Sequence, residues 1–257
     1  MVALLCVLLS ASASAEFLPA VYGGTPVAEP APYWRSVVAI DLDPGNYTAV
    51  LPCTGVLVSR RAALTAAHCA RPDSGGGLVA MSFFDRAGNV WRKIPLNPSK
   101  AVPHPDYDSA SSRNDLALVP FSLDLPAEYR PVTLLAEAAR LRPDLEVELA
   151  GVGRTETGRP EGLRSTKMPI KDVLAKDKAF SAKDPDEKTI ACDGDSGGGA
   201  FLDEGATLAG LIFLAWEPIN HPCSGPGTTF FMSVPHYKAW IEKTVAEMGL
   251  ADVRPRP

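Results

Sequence analysis

The sequence is short of several features that would direct it to other classes of protein. Its net charge is −5, with 25 Lys and Arg against 30 Asp and Glu, so it has no basic stripe for phosphates. Nucleic acids and acidic membrane surfaces are therefore not expected as partners. No stretch reaches the roughly 20 apolar residues of a membrane span. None of its five cysteines form a C-x2-C pair, so no zinc site is expected.

The residues that are present favour a folded, turn-rich β protein. Hydrophobic residues make up 46% of the 257 positions, and 21 Gly and 24 Pro interrupt them. This length allows one large domain or two small ones. Short apolar segments between turn residues predict an all-β sandwich or barrel; examples are Ser36–Ile40, Gly55–Val58, Leu116–Val119, Leu145–Leu149 and Leu208–Phe213.

The periodicity changes near the end of the chain. Apolar residues fall there at helical spacing, at Tyr237, Trp240, Ile241, Val245 and Met248. They predict an amphipathic helix over 236–249, followed by a tail over 250–257. The stretch 167–188, rich in Lys and Asp, shows no clean periodicity.

The first residues have the pattern of a secretory signal. An apolar run, Val2–Leu9, is followed by small residues that end in Ala13-Ser-Ala15. We therefore predict a signal peptide over 1–15 and a secreted protein. Its removal would also remove Cys6 and leave four cysteines, an even number that suggests two disulfides. Three pairings are open, and we favour the pairing of chain neighbours, Cys53 with Cys69 and Cys192 with Cys223.

Three motifs carry the chemistry, and they occur in a fixed order. They are Leu64-Thr-Ala-Ala-His-Cys69, Asn114-Asp-Leu-Ala-Leu-Val119 and Cys192-Asp-Gly-Asp-Ser-Gly-Gly198. With them the chain resembles the trypsin/chymotrypsin-like serine proteases. The resemblance extends from Val21 to Ile241, since it adds three smaller matches: Tyr22-Gly-Gly24, His104-Pro-Asp-Tyr107 and Pro226-Gly227.

The residue types in these motifs fit nucleophilic catalysis. A serine hydroxyl is a poor nucleophile at neutral pH, so Ser196 needs a base, which His68 can supply. A carboxylate on the other ring nitrogen, from Asp115, would fix the tautomer and stabilise the imidazolium. Gly194 and Gly197 permit a tight turn, which would direct the N–H groups of Gly194 and Ser196 at one point as an oxyanion hole.

The resemblance also implies an architecture. We expect two packed six-stranded antiparallel β-barrels, over 21–130 and 131–235, closed by the C-terminal helix. The active site would lie between the barrels, with no cofactor and no metal. The loop Arg71–Gly77 has one carboxylate, which is too few to predict a calcium site.

The resemblance further implies an activation step. In this family, cleavage before a Val-type residue frees an amine that pairs with the Asp preceding the nucleophile; the pair here would be Val21 and Asp195. Residues 16–20 would then be a short propeptide. The alternative is that Glu16 is the mature terminus and Tyr22–Gly24 is only a turn.

The expected substrate pocket departs from the family pattern. The position that carries Asp in members specific for Arg or Lys is Ile190. Along the wall, either Phe213 or Ala215 stands where the family usually has Ser, depending on the alignment. The predicted pocket residues are therefore Ile190, Ala215, Trp216 and Gly227. Burying a cation against Ile190 is costly, so Arg and Lys are expected to be poor before the scissile bond. The alternative is that Glu217 or Asp193 supplies charge at the mouth of the pocket.

Together these features predict a secreted serine endopeptidase that hydrolyses protein or peptide substrates through a Ser-His-Asp triad and an acyl-enzyme, as a monomer. Two alternatives remain. One is a non-catalytic, protease-like binding protein, and the other is a secreted esterase with the same triad. Asn46-Tyr-Thr48 is a formal glycosylation acceptor.

Overall fold

The structure is a computed structural model, and it describes residues 21–27, 31–43, 52–70, 77–85, 89–155, 162–217 and 223–251. The predicted signal peptide 1–15, the propeptide 16–20 and Asn46 lie outside these residues, as does 252–257 of the tail. What is described is mostly β structure in two sheets, with one long helix near the C-terminus. The all-β prediction is confirmed.

The strands in the first half of the chain are β1 (Thr25–Pro26), β2 (Val37–Leu42), β3 (Cys53–Ser59), β4 (Ala62–Thr65), β5 (Leu78–Phe84), β6 (Val90–Pro95), β7 (Val102–Pro103) and β8 (Ala117–Pro120). Those in the second half are β9 (Thr133–Leu134), β10 (Glu146–Gly151), β11 (Arg164–Leu174), β12 (Ala179–Ala182), β13 (Gly199–Leu202), β14 (Thr207–Trp216) and β15 (Thr228–Ser233). A short helix α1 (Ala67–Ala70) follows β4, and α2 (Val234–Glu247) follows β15.

The second sheet closes into a six-stranded antiparallel barrel. Its strand order is β11-β10-β13-β14-β15-β12, and β12 pairs back with β11. Two short strands are added at the margins: β9 pairs in parallel with β14, and β1 pairs with β11. Because β1 belongs here, the N-terminal residues lie in the second sheet rather than in the first barrel, where the predicted boundary of 21–130 placed them.

The first sheet contains seven strands in the order β6-β5-β2-β3-β4-β8-β7. Within the described residues its two ends do not pair, so the path is open where a closed six-stranded barrel was expected. The edge strand β7 consists of Val102 and Pro103. Proline has no N–H to donate, which limits how far a sheet can extend beyond such a strand.

Buried side chains fill the interior of the closed barrel and also join the two sheets. The barrel interior includes Val147, Leu149, Phe180 and Phe231. A larger cluster runs from the first sheet to α2, and the ring of Tyr33 stacks on Phe201 of β13 with centroids 5.1 Å apart. This packing fixes the cleft between the sheets, where the catalytic motifs meet.

The C-terminal helix begins two residues earlier than predicted, at Val234, and its last helical residue is Glu247. Pro235 lies in its first turn, where a proline costs no hydrogen bond. Tyr237 and Ile241 are buried against the first sheet. No helix among the described residues is long and apolar enough to cross a membrane.

Candidate active site

His68 and Asp115 are brought together by neighbouring strands. His68 lies in α1, just after β4, and Asp115 lies two residues before β8, and these strands pair antiparallel. The Nδ1 atom of His68 is 2.6 Å from Oδ2 of Asp115, and the His68 N–H donates to Oδ1 at 2.9 Å. Asp115 is 2% exposed, so its carboxylate is held by these two contacts. With Nδ1–H donating to Asp115, Nε2 is left as the basic nitrogen.

Ser196 stands in a tight turn between Cys192 and β13. Gly194 and Gly197 have φ of +100° and +84°, a region that favours glycine. The turn is anchored to the first sheet, because the N–H of Thr54 donates to the Ser196 carbonyl at 2.8 Å. The same carbonyl oxygen lies 4.0 Å from Sγ of Cys69, the neighbour of His68. The nucleophile candidate is thereby positioned beside the histidine.

The N–H groups of Gly194 and Ser196 have no acceptor among the described residues. Buried N–H groups are normally paired, so two unpaired donors on one turn are available to a ligand oxygen. The hydroxyl of Thr54 donates to the Gly194 carbonyl at 2.9 Å and so holds this peptide in its orientation.

The His68 ring and the Ser196 hydroxyl are not hydrogen-bonded within the described part of the chain. The His68 side chain is 38% exposed and therefore open to the cleft. Catalytic hydrogen bonds are often long before substrate binds and tighten in the complex.

Asp195 is fully buried behind the nucleophile. One carboxylate oxygen accepts from the N–H of Gly153 at 2.8 Å, and the other from the N–H of Cys192 at 2.9 Å. Burial raises the pKa of Asp195 to about 7, against the opposing effect of these two N–H groups. Val21 is also buried, and the next residue, Tyr22, accepts from the N–H of Ile190 at 3.1 Å.

Both disulfides join chain neighbours. One links Cys53 of β3 to Cys69, next to His68, and the other links Cys192 to Cys223. The first ties α1 to the strand that carries Thr54. The second ties the start of the Ser196 turn to the segment before β15. Each therefore stabilises one side of the cleft.

A pocket opens beside Ser196 between two wall segments. One wall comes from the residues that precede Ser196 and the other from the end of β14 and the residue after it. The lining residues are Ala191, Cys192, Asp193, Ser196, Ile212, Phe213, Leu214, Ala215 and Glu217.

The predicted pocket residues do not all reach this space. Ala215 lines it, but Ile190 is buried behind it. A Cβ atom at Gly227 would collide with the Ile190 side chain, so these two residues pack directly together. Trp216 is 63% exposed, and its side chain lies outside the pocket lining. Both residues that could stand at the family's serine position, Phe213 and Ala215, line the wall, and Phe213 lies at a register shift in β14.

Two residues of the site region, Thr54 and His104, were not identified from the sequence in these roles, and the position of Glu217 was left open. Thr54 supports the Ser196 turn, and no local pattern around it distinguishes it from other strand threonines. Glu217 lines the pocket, a position that its sequence context left undecided. His104, expected at the surface or in a turn, is 8% exposed, and its ring packs against Tyr237 and Trp240.

A histidine open to the cleft and paired with a buried aspartate, next to a glycine-bounded serine turn between two β sheets, defines a serine-protease type of site. The family model described as Trypsin matches residues 23–241, and the chain belongs to this family.

Similar proteins agree with this assignment. The chain is 29% identical to human Kallikrein-7, covering 86% of both chains. It is 28% identical to Trypsin eta of Drosophila melanogaster, covering 74% of this chain and 76% of the other. A scabies mite inactivated protease paralogue has the same fold, with a TM-score of 0.68 at 22% identity over 88% of this chain and 99% of the other.

Proposed function

We propose that the protein is a secreted serine endopeptidase that cleaves peptide bonds through an acyl-enzyme, with His68, Asp115 and Ser196 as its triad. The observation that carries the proposal is the 2.6 Å contact between His68 and the buried Asp115, beside a serine turn anchored to the same sheet. Membership of the trypsin family supports the peptidase activity.

In the first half-reaction, the Ser196 oxygen attacks the scissile carbonyl carbon while Nε2 of His68 takes the hydroxyl proton. The carbonyl oxygen becomes an oxyanion, which the N–H groups of Gly194 and Ser196 stabilise. Asp115 holds the imidazolium that forms. When the C–N bond breaks, His68 returns the proton to the leaving amine, and the acyl group stays on Ser196.

In the second half-reaction, water attacks the acyl carbon and His68 takes a proton from it. Collapse of the new oxyanion breaks the bond to Ser196 and releases a carboxylic acid, while His68 reprotonates the serine oxygen. The same residues thus serve both halves, and neither half requires a redox change.

Activation is proposed to depend on Val21 and Asp195. A buried carboxylate is costly without a counter-charge, and Asp195 accepts only from neutral N–H groups among its described contacts. Cleavage before Val21 would create an ammonium group that could pair with it. Since Asp195 lies between Gly194 and Ser196, that pair would hold the oxyanion turn in shape.

Secretion is proposed from the small-residue pattern that ends at Ala15 and from the two disulfides, since disulfides persist in oxidising compartments. The predicted protein or peptide substrates and the monomeric state belong to the same proposal.

The test compares wild type, processed to begin at Val21, with Ser196→Ala processed in the same way, using a fluorophosphonate probe and matched amide and ester substrates. We expect wild type to be labelled and to cleave amides, and the variant to lose labelling and about 10⁴–10⁶ in turnover. Ser99→Ala, an exposed serine on another surface, is the matched control and should keep full activity.

The other outcomes identify the alternatives. Labelling that persists in Ser196→Ala would exclude Ser196 as the nucleophile. A folded wild type that neither labels nor turns over either substrate would favour the binding protein. Turnover of esters without amides would favour the esterase.

A further inference from the structure

The pocket beside Ser196 has acidic walls. Two charged residues occur in its described lining, Asp193 and Glu217, and both carry carboxylates. The other lining residues are Ser196, the disulfide-bonded Cys192 and aliphatic or aromatic side chains. A substrate side chain entering this space therefore meets apolar walls and negative charge.

Glu217 is fixed in place. Its carboxylate accepts from the N–H of Cys223, and Cys223 is disulfide-bonded to Cys192 in the opposite wall. The carboxylate is thus connected to both sides of the pocket, through the N–H of Cys223 and the Cys192–Cys223 disulfide. A charged group held in this way loses little conformational entropy when it binds a ligand.

The two carboxylates differ in what already neutralises them. Asp193 is 58% exposed and forms an ion pair with Arg154 at 3.1 Å. Glu217 is half-buried, and its described partner, the N–H of Cys223, is uncharged. Burial, reinforced by the charge of Asp193, raises the pKa of Glu217 above its ordinary value. Within the described residues, no positively charged group compensates its charge.

The position that would carry the charge in members specific for Arg or Lys provides none here. Ile190 is buried and packs against Gly227, so the carboxylate usual at the base in members specific for Arg or Lys is replaced by an aliphatic group. A long side chain could place its methylenes against Ile212 and Ala215 and direct its charged end to the wall.

We infer that Glu217 is a specificity-determining residue that selects a cationic side chain, Arg or Lys, before the scissile bond, from the wall of the pocket rather than from its base. This inference rests on the proposed peptidase function. It reverses the preference that Ile190 suggested from the sequence.

The test uses peptide substrates that differ only in Arg or its neutral isostere citrulline, so that length and shape are matched. Wild type should prefer Arg in kcat/KM by on the order of tenfold. Glu217→Gln, whose amide oxygen can still accept from Cys223, should reduce the ratio to about one. Glu242→Gln, which neutralises a carboxylate paired with Lys238 on α2 and outside the pocket lining, is the matched control, and the ratio should stay within about twofold.

The result that overturns the inference is a wild-type ratio near one, or a ratio that Glu217→Gln leaves unchanged. A leucine substrate cleaved better than the Arg substrate would also overturn it and support selection by Ile190. Thermal unfolding checks that the variants fold. If wild type takes up no fluorophosphonate and cleaves no substrate, both the inference and the proposed function are wrong. If wild type cleaves the Arg and citrulline substrates equally well, only the inference is wrong.

Discussion

The proposed catalytic centre and the proposed substrate pocket meet at Ser196, but different kinds of contact hold them. The centre is fixed by main-chain groups and buried side chains from both sheets: Thr54 donates to Ser196, and Asp115 contacts His68. The pocket wall consists largely of side chains on one strand end, and Phe213, Ala215 and Glu217 there are only partly buried.

This difference explains which residues follow the family pattern. A Cβ atom at Gly153 would come within 2.7 Å of the Asp195 carboxyl carbon, so even an alanine there would displace the support of the turn. Side chains on the wall can change without moving the backbone that carries Ser196. Substrate selection can therefore vary while the chemistry is retained. The predictions below test this separation.

The largest effect is expected for Asp115→Asn, which keeps the shape of the pair but favours the wrong tautomer of His68. We expect kcat to fall about 10⁴-fold, equally for the Arg and citrulline substrates, so that their ratio is unchanged. The exposed Asp106→Asn serves as the control and should keep wild-type kcat. A change in the ratio would show that the centre and the pocket are not separable.

The sequence was sufficient for the features that depend on local patterns. The three motifs predicted the contacts of His68 and the glycine turn of Ser196, and helical spacing predicted α2 to within two residues. Apolar runs predicted the strands whose faces are buried.

Features that depend on long-range pairing could not be predicted in this way. The stretch 167–188 contains most of β11 and all of β12. In β11 the exposed Lys167, Lys171 and Asp172 interrupt the buried positions and conceal the alternation, whereas all four residues of β12 are buried. The pairing of Thr25–Pro26 with β11 joins residues far apart in sequence. The role of Glu217 depends on a disulfide neighbour rather than on any adjacent residue.

The next effect concerns stability and Asp195. In the uncut chain the pKa of Asp195 is about 7, above the ordinary value near 3.8. Between these two pH values, this carboxyl group is protonated in the folded state and ionised in the unfolded state. Stability should therefore fall by about 4 kcal/mol as pH rises from about 4 to about 7. Urea unfolding of the Ser196→Ala chain at several pH values measures this change.

Two comparisons check the cause. Asp195→Asn in the uncut chain should remove the pH dependence in this range. A chain that begins at Val21 should also lose it, because its ammonium stabilises the ionised carboxylate. Identical pH profiles for cut and uncut chains would contradict the proposed Val21–Asp195 pair.

The third effect concerns pH and selectivity. Because the pKa of Glu217 is raised, its carboxylate should become protonated before an ordinary glutamate as pH falls, and the preference for Arg over citrulline should decline by up to about tenfold. An effect of pH on the chemical step acts on both substrates alike and cancels in the ratio. Asp193 and its partner Arg154 are the other charges at this wall, so Asp193→Asn is measured in parallel. An Arg-to-citrulline ratio that does not change with pH in wild type would contradict the prediction. In Glu217→Gln this ratio should not change with pH.

The smallest effect is expected at Thr54, which couples β3 to the serine turn. Its hydroxyl donates to the Gly194 carbonyl and accepts from the N–H of Val152, so Thr54→Val removes both contacts at nearly constant volume. An N–H group of the oxyanion hole itself contributes a factor of about 10²–10³ to kcat. Loss of a group that only supports it should cost less: we expect kcat to fall about three- to tenfold, with KM and the preference for Arg unchanged. Thr54→Ser should restore kcat.

The control is Ser36→Ala. It removes another buried hydroxyl hydrogen bond, to the Arg130 carbonyl, and should lower the unfolding temperature without lowering kcat. If Ser36→Ala lowers kcat as much as Thr54→Val does, the effect at Thr54 reflects general loss of stability rather than the position of Gly194.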